Sequence, residues 1–152
     1  MLNKIFLVLT FLFLNYSALA EDIKDFEIEG VSIGDSMLEH FTKDEIELNN
    51  LTADFKDKSV QGLLFQNIDF IVNYDAMQFV YKIKNMEIIN ITAMNHFKDN
   101  INLCKKKKKE IVRELSEMFS GATRTNEVTI HPADPSGKSK VISTYFDFNN
   151  ED

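Results

Sequence analysis

The segment Gly34-Asp35-Ser36-Met37 places a serine between a predicted strand and a predicted helix. A serine hydroxyl at such a turn can act as a nucleophile when a histidine base, itself held by an acid, takes its proton. Such a site also needs hydrogen-bond donors for the oxyanion. The chain contains three histidines that could serve as the base: His40, His96 and His131. The spacing therefore raises a hydrolase as a hypothesis and leaves its base unassigned.

Gly34-Asp35-Ser36-Met37 resembles the first block of the GDSL, or SGNH, hydrolases, and that resemblance implies Ser36 as the nucleophile. Those enzymes also carry a D-x-x-H block and an alternating βα pattern, and this sequence has neither. Ser36 and Glu39 have the spacing of a capping box, which accounts for the serine without chemistry. The sequence predicts a structural Ser36, with a small serine esterase using Ser36 as the alternative.

The lysine run Lys105–Lys109 is the second group that could bind a ligand, because five adjacent cations can attract an anionic surface. Consecutive residues of a helix point about 100° apart, so these charges spread around the helix. Lys108 falls on the apolar stripe, where its stem is expected to pack while its amine reaches solvent. Glu110 and Glu114 are placed to pair with neighbouring cations. A solvated helix face is expected, and an envelope-associated module that docks anions through Lys105–Lys109 is the alternative.

The remaining reactive side chains predict no catalytic, cofactor or metal site. The histidines do not follow a metal-ligand spacing, and Cys104 is the only cysteine, so it has no partner for metal or for an intrachain disulfide. Cys104 lies on the apolar stripe of the predicted long helix, where a thiol is usually buried and inert. We therefore predict that Cys104 is buried and that no cofactor is bound.

Aromatic side chains are numerous enough to line a pocket for an apolar ligand or to fill a core. The residues concerned are Phe65, Phe70, Phe79, Tyr81, Phe97, Tyr145, Phe146 and Phe148. Alternation along a strand does not distinguish a filled interior from a cavity, so both interpretations stay open.

Hydrophobic periodicity and turn residues predict the order strand, short helices, strands, long helix and hairpin. The predicted elements are a strand over Asp25–Val31, short helices capped by Ser36 and Thr42, about three strands over Val60–Phe97, a long helix from Asp99 or Asn100 to Gly121, and a hairpin of Glu127–Ile130 and Lys140–Phe148. This segregated order predicts an α+β fold. We expect an antiparallel sheet of about five or six strands, with one long amphipathic helix packed on one face and a short N-terminal helix.

The N-terminus has the layout of a cleavable signal peptide over residues 1–20, with Lys4, the apolar run Ile5–Leu14 and the cleavage pattern Ala18-Leu19-Ala20. The apolar run is about half the roughly 20 residues that cross a bilayer, so no transmembrane anchor is expected after cleavage. Residues 21–152 are predicted to form a single α+β domain that is periplasmic or secreted. The net charge of −7 disfavours nucleic acid as a partner.

The segment from Phe26 to Leu38, together with Asn100–Cys104 at the start of a helix rich in lysine and glutamate, resembles an uncharacterised family of small exported proteins from marine alphaproteobacteria. The resemblance covers most of the chain after the signal peptide. It implies an exported protein and a structural turn at Gly34, Asp35 and Ser36, and it implies no activity. The function predicted from the sequence is noncatalytic binding, with a small ligand or an envelope protein as the partner.

Overall fold

The structure, a computed structural model, describes residues 26–51, 55–66 and 68–148. Its elements in chain order are β1 (Glu27–Ile28), β2 (Val31–Ser32), α1 (Met37–His40), α2 (Lys43–Leu48), β3 (Val60–Gln66), β4 (Ala76–Lys82), β5 (Ile88–Met94), α3 (Ile101–Met118), β6 (Thr123–Ile130) and β7 (Lys140–Asp147). The α+β class is confirmed. The signal peptide predicted over residues 1–20 lies outside the described residues.

The strands form three separate antiparallel sheets, so the predicted single sheet of five or six strands is wrong. β1 pairs with β2, β3–β4–β5 form a three-stranded sheet, and β6 pairs only with β7 among the described strands. β6 is exposed along its whole length and carries polar residues on both faces from Thr123 to Glu127. A strand polar on both faces cannot occupy the middle of a buried sheet, and therefore β6 and β7 stay apart as a hairpin.

The strand predicted over Asp25–Val31 is instead a tight hairpin. Glu29 and Gly30 have positive φ angles of 52° and 77° and reverse the chain between β1 and β2. Positive φ at both central residues matches the twist of a two-residue hairpin turn. The Glu29 carboxylate accepts hydrogen bonds from the backbone N–H groups of Val72 at 3.2 Å and Asn73 at 2.7 Å. This contact ties the hairpin to the chain between β3 and β4.

The main core lies on one face of the three-stranded sheet. The registers Leu63↔Phe79 and Phe65↔Met77 place these four fully or almost fully buried side chains on that face. The short helices cover this face of the sheet. Met37 belongs to α1 and Phe41 directly follows it, and the Phe41 ring stacks on that of Phe65 with ring centroids 4.5 Å apart. Stacked and edge-on aromatic pairs add to the burial of apolar area.

The long helix α3 does not supply this core, so its predicted role as the cover of the sheet is corrected. None of its residues is fully buried, and its C-terminal end is held by Phe119, which is 4% exposed and contacts the rings of Phe26, Phe146 and Phe148. The α1 and α2 helices cover the sheet face, and α3 packs against the β6–β7 hairpin. No helix in the described ranges is long and apolar enough to span a membrane.

Candidate functional site

The turn between β2 and α1 is fixed by backbone hydrogen bonds to the start of β5. Gly34 has a φ of +98°, and its N–H donates to the Ile88 carbonyl at 2.8 Å. The Ile88 N–H donates in return to the Asp35 carbonyl at 2.8 Å. A glycine adopts this backbone conformation without the steric penalty that a Cβ brings. The sequence thus builds a rigid turn that presents Asp35 and Ser36 beside α1.

Ser36 caps α1, as the sequence predicted, although the capping box does not form there. Its Oγ accepts a hydrogen bond from the Leu38 N–H at 3.3 Å, and the Glu39 N–H bonds to the Ser36 carbonyl instead. Within the described residues, Ser36 Oγ has no hydrogen bond to a histidine. The complete capping box occurs at the next helix, where Thr42 and Glu45 bond to each other's backbone N–H groups. The geometry at Ser36 is that of a helix cap.

The ring of His40 turns to Asp35 and not to Ser36. His40 Nε2 lies 2.9 Å from Asp35 Oδ2, and the same oxygen accepts the Ser32 N–H at 2.9 Å. The Ser32 N–H bond first, and then the hydrogen bond and charge of His40, hold the pKa of Asp35 below its ordinary value of 3.8. The carboxylate is therefore ionised at neutral pH. Glu39 joins this pair, since one ligand atom from each of the three residues lies within 4.8 Å of the other two.

The sequence analysis missed this cluster of Asp35, Glu39 and His40. The sequence signal for this cluster was an aspartate, Asp35, directly before a helix cap. A histidine, His40, follows the cap by one helical turn, and an acid, Glu39, stands next to it. Asp35 lies in the turn before α1 and Glu39 and His40 are the last two residues of α1, so the turn and the helix together bring the three ligand atoms within 4.8 Å of one another. The spacing of Asp35, Glu39 and His40 matches none of the sequence patterns of common metal sites.

The lysine run lies where α3 crosses the hairpin. Lys106 pairs with Glu110 at 3.9 Å on the exposed side of the helix. Lys108 lies on the apolar side of the helix, as predicted, but its amine does not extend into solvent: Nζ donates to Thr144 Oγ1 at 2.6 Å. Thr144 Oγ1 donates onward to Asn126 Oδ1 at 2.9 Å. In the described part of the chain, Lys105, Lys107, Lys108 and Lys109 have no carboxylate within ion-pair distance.

Two clefts flank the contact between Lys108 and Thr144. The first, of about 350 Å³, lies between α3 and the hairpin, with Lys105, Lys109 and the cross-strand pair Val128 and Ile142 in its walls. The second, of about 280 Å³, lies on the other side, between α3 and the end of β5. Lys108, Val112 and Thr144 line both clefts, so the Lys108–Thr144 contact belongs to the wall of each.

The second cleft has a largely apolar wall. It is lined by Tyr74, Ala93, Phe97, Cys104, Ile111, Leu115 and Phe146, together with a few polar residues. Burial, and then the nearby Glu29 and Glu114 carboxylates, raise the pKa of Tyr74, so its phenol stays neutral. Cys104 is half-buried in this wall, which corrects the prediction that it is buried. Its sulfur belongs to a cleft and not to a packed core.

Some of the aromatic residues fill the core and others line a cleft, so each of the two interpretations that the sequence left open holds for part of the set. Phe65, Phe79 and Tyr81 are buried in the main core, where Phe65 and Phe79 contact each other with ring centroids 5.9 Å apart. Phe97 and Phe146 line the second cleft. The sequence could not make this division, because Phe79 in the core and Phe146 in the cleft wall both recur at period two along their strands.

The other two histidines take structural positions in loops. The backbone N–H of His96 donates to Asp75 Oδ2 at 2.6 Å, and its ring Nδ1 lies 3.5 Å from the same oxygen. His131 Nδ1 accepts the Ala133 N–H at 3.2 Å in the loop between β6 and β7. Neither ring belongs to a three-ligand group within the described residues.

Comparison with protein-family models, with curated proteins and with solved structures finds no match to this chain.

Proposed function

We propose that this protein is a noncatalytic binding domain that takes up one anionic amphiphile, an acyl chain with a carboxylate head, along α3. The observation that carries the proposal is the Lys108 ammonium, which is partly buried between two clefts and, among residues 26–51, 55–66 and 68–148, is hydrogen-bonded to the uncharged Thr144 hydroxyl and to no carboxylate. A partly buried cation gains most from a counter-ion, because desolvation strengthens the attraction between opposite charges. A ligand carboxylate would supply that counter-ion.

The charge around the clefts is opposite in sign to that of the whole chain. Lys105 and Lys109 line the first cleft and Lys107 lines the second, whereas the net charge of the protein is −7. The acid in the wall of the first cleft, Glu127, accepts a hydrogen bond from the Tyr145 hydroxyl at 3.3 Å. This concentration of lysines on an acidic protein favours a ligand with an anionic head.

The apolar walls favour a ligand with a chain attached to that head. Val128 and Ile142 are 60% and 47% exposed, although they form a cross-strand pair on the side of the hairpin that borders α3. Exposed apolar side chains beside a cleft are typical of binding grooves. The first cleft, at about 350 Å³, is within the range of about 300–1,000 Å³ that small-molecule sites occupy.

We also propose that the protein is exported and that it belongs to the family of exported proteins that it resembles. The layout of residues 1–20 supports export to the periplasm or beyond, where amphiphiles released from the envelope are available. The resemblance to small exported proteins of marine alphaproteobacteria agrees with that setting. We commit to a free amphiphile, and not to a membrane surface, because apolar residues line both clefts between α3, the hairpin and β5 and can receive an acyl chain.

Alkylation of Cys104 provides the test, because this thiol is the only one in the chain and lies in the wall of the second cleft. The rate of its reaction with iodoacetamide would be measured by mass spectrometry with and without dodecanoate. We expect saturable protection by dodecanoate and much weaker protection by dodecanol, which has the same chain without the charge. Calorimetry with dodecanoate would give the stoichiometry, for which one is expected.

Variants separate the head group from the chain. Lys105→Gln with Lys109→Gln should weaken dodecanoate binding, whereas the exposed turn lysine variant Lys84→Gln should not. Equal protection by dodecanol and dodecanoate would contradict the anionic head. Binding to anionic phospholipid vesicles without any binding of dodecanoate would replace the proposal with membrane docking through Lys105–Lys109.

A further inference from the structure

We propose that Asp35, Glu39 and His40 form a binding site for one divalent transition-metal ion of the zinc type. Within the described residues, this is the group in which a histidine nitrogen and two carboxylates lie within 4.8 Å of one another. Imidazole and carboxylate are ligands that zinc accepts together, usually with four ligands in a tetrahedral arrangement. Three protein ligands leave the fourth position to water.

The distances require only small adjustments, in which the His40 and Asp35 atoms separate slightly and Glu39 moves closer. Zinc bonds of about 2.0–2.1 Å place tetrahedral ligand atoms roughly 3.3 Å from one another. His40 Nε2 and Asp35 Oδ2 are already 2.9 Å apart. Glu39 is exposed, so its side chain can rotate toward the pair without disturbing a packed core. The metal would replace the proton that the His40 and Asp35 atoms now share in a hydrogen bond.

The backbone holds the aspartate in place for this role. The Ser32 N–H donates to Asp35 Oδ2 at 2.9 Å, and the turn itself is bonded to Ile88 in both directions. Hydrogen bonds from surrounding groups orient metal ligands and reduce the entropy lost on binding. His40 is about one-fifth exposed and Asp35 about one-third, so an ion can enter from solvent.

The protein contains a matched control for a simple histidine and aspartate pair. His96 and Asp75 also lie close together, with Nδ1 and Oδ2 3.5 Å apart, and no third ligand joins them in the described residues. If an exposed pair of this kind were enough to bind zinc, both pairs would do so. The proposal predicts that only the group with Glu39 binds.

Isothermal titration of the purified protein with zinc chloride, in a buffer that does not chelate metal, tests the site. We expect one ion per protein, and at least about tenfold weaker binding in His40→Ala and in Glu39→Gln. His96→Ala should bind as the unaltered protein does. Circular dichroism of Glu39→Gln, a change at an exposed position, confirms that its loss of binding is not a loss of folding.

Absence of saturable zinc binding would overturn the proposal, as would an equal loss of binding in His96→Ala and His40→Ala. Lys108→Met should leave zinc binding unchanged, because Lys108 belongs to α3 and not to this turn. Failure of dodecanoate binding and failure of zinc binding are thereby separate results.

Discussion

The ammonium nitrogen of Lys108 lies 2.6 Å from the hydroxyl oxygen of Thr144, so α3 is joined to β7 by a charged donor and an uncharged acceptor. The two residues are 36 positions apart in the chain and are shared by the walls of both clefts. A hydroxyl is a weaker partner for an ammonium than a carboxylate is. An incoming carboxylate can therefore replace Thr144 as the acceptor.

Replacement of Lys108 by methionine keeps most of the apolar stem and removes the charge. We expect dodecanoate affinity to fall by about tenfold, which corresponds to about 1.4 kcal/mol. The free energy of unfolding should fall by no more than about 1 kcal/mol, since one hydrogen bond is lost while the cost of partly burying a cation disappears. Calorimetry and urea unfolding measure the two quantities. A large loss of stability with unchanged affinity would make Lys108 a structural residue only.

Gly34→Ala should destabilise the protein although the new methyl group meets no atom within 4 Å. The cost comes from the backbone, because a φ of +98° is strained for a residue with a Cβ, by about 1–2 kcal/mol. Gly121→Ala is the matched control, since that position also has open space and has no positive φ. Urea unfolding of both variants tests this difference. Equal stabilities would show that the turn can change its conformation.

Acid should weaken the turn at Asp35. The Ser32 N–H and the His40 ring lower the pKa of this carboxyl below 3.8 in the folded protein, so its stabilising contribution is complete above pH 3.8 and is lost as the pH falls through the lower folded value. Asp35→Asn should therefore reduce stability at neutral pH and flatten the loss of stability below pH 3.8. Urea unfolding at a series of pH values above and below 3.8 measures the free energy of unfolding of both proteins. Asp69→Asn, at an exposed turn position, should leave the pH profile unchanged.

Ser36→Ala should cost about 1 kcal/mol of stability, the usual effect of losing a helix cap, and Ser36→Gly only a few tenths. Thr42→Ala should cost at least as much as Ser36→Ala, because Thr42 belongs to a complete capping box. Thermal or urea unfolding compares the three variants. On a panel of short-chain esters, neither the unaltered protein nor Ser36→Ala is expected to turn over substrate. Ester hydrolysis that disappears in Ser36→Ala would instead support the serine esterase.

Several local features could be predicted from short stretches of sequence. The long helix begins after the Asn100 cap, whose Oδ1 accepts the Leu103 N–H at 3.0 Å, and it ends at Met118, close to Gly121. The strands of the middle sheet and β7 also lie within the segments where alternation indicated them, whereas β6 begins at Thr123, before the predicted Glu127–Ile130. These features depend on caps, turns and periodicity within about ten residues, so neighbouring side chains are enough to specify them.

The association of these elements depended on contacts that no local pattern contains. Residues of α1 and α2 cover the sheet face, and α3 lies against β6 and β7. That arrangement opened the clefts, placed Cys104 in a wall instead of a core and brought Lys108 to Thr144. Composition and periodicity specify which faces are apolar, but many pairings of those faces bury similar areas. Packing of particular side chains selects one of these pairings, and with it the candidate binding site.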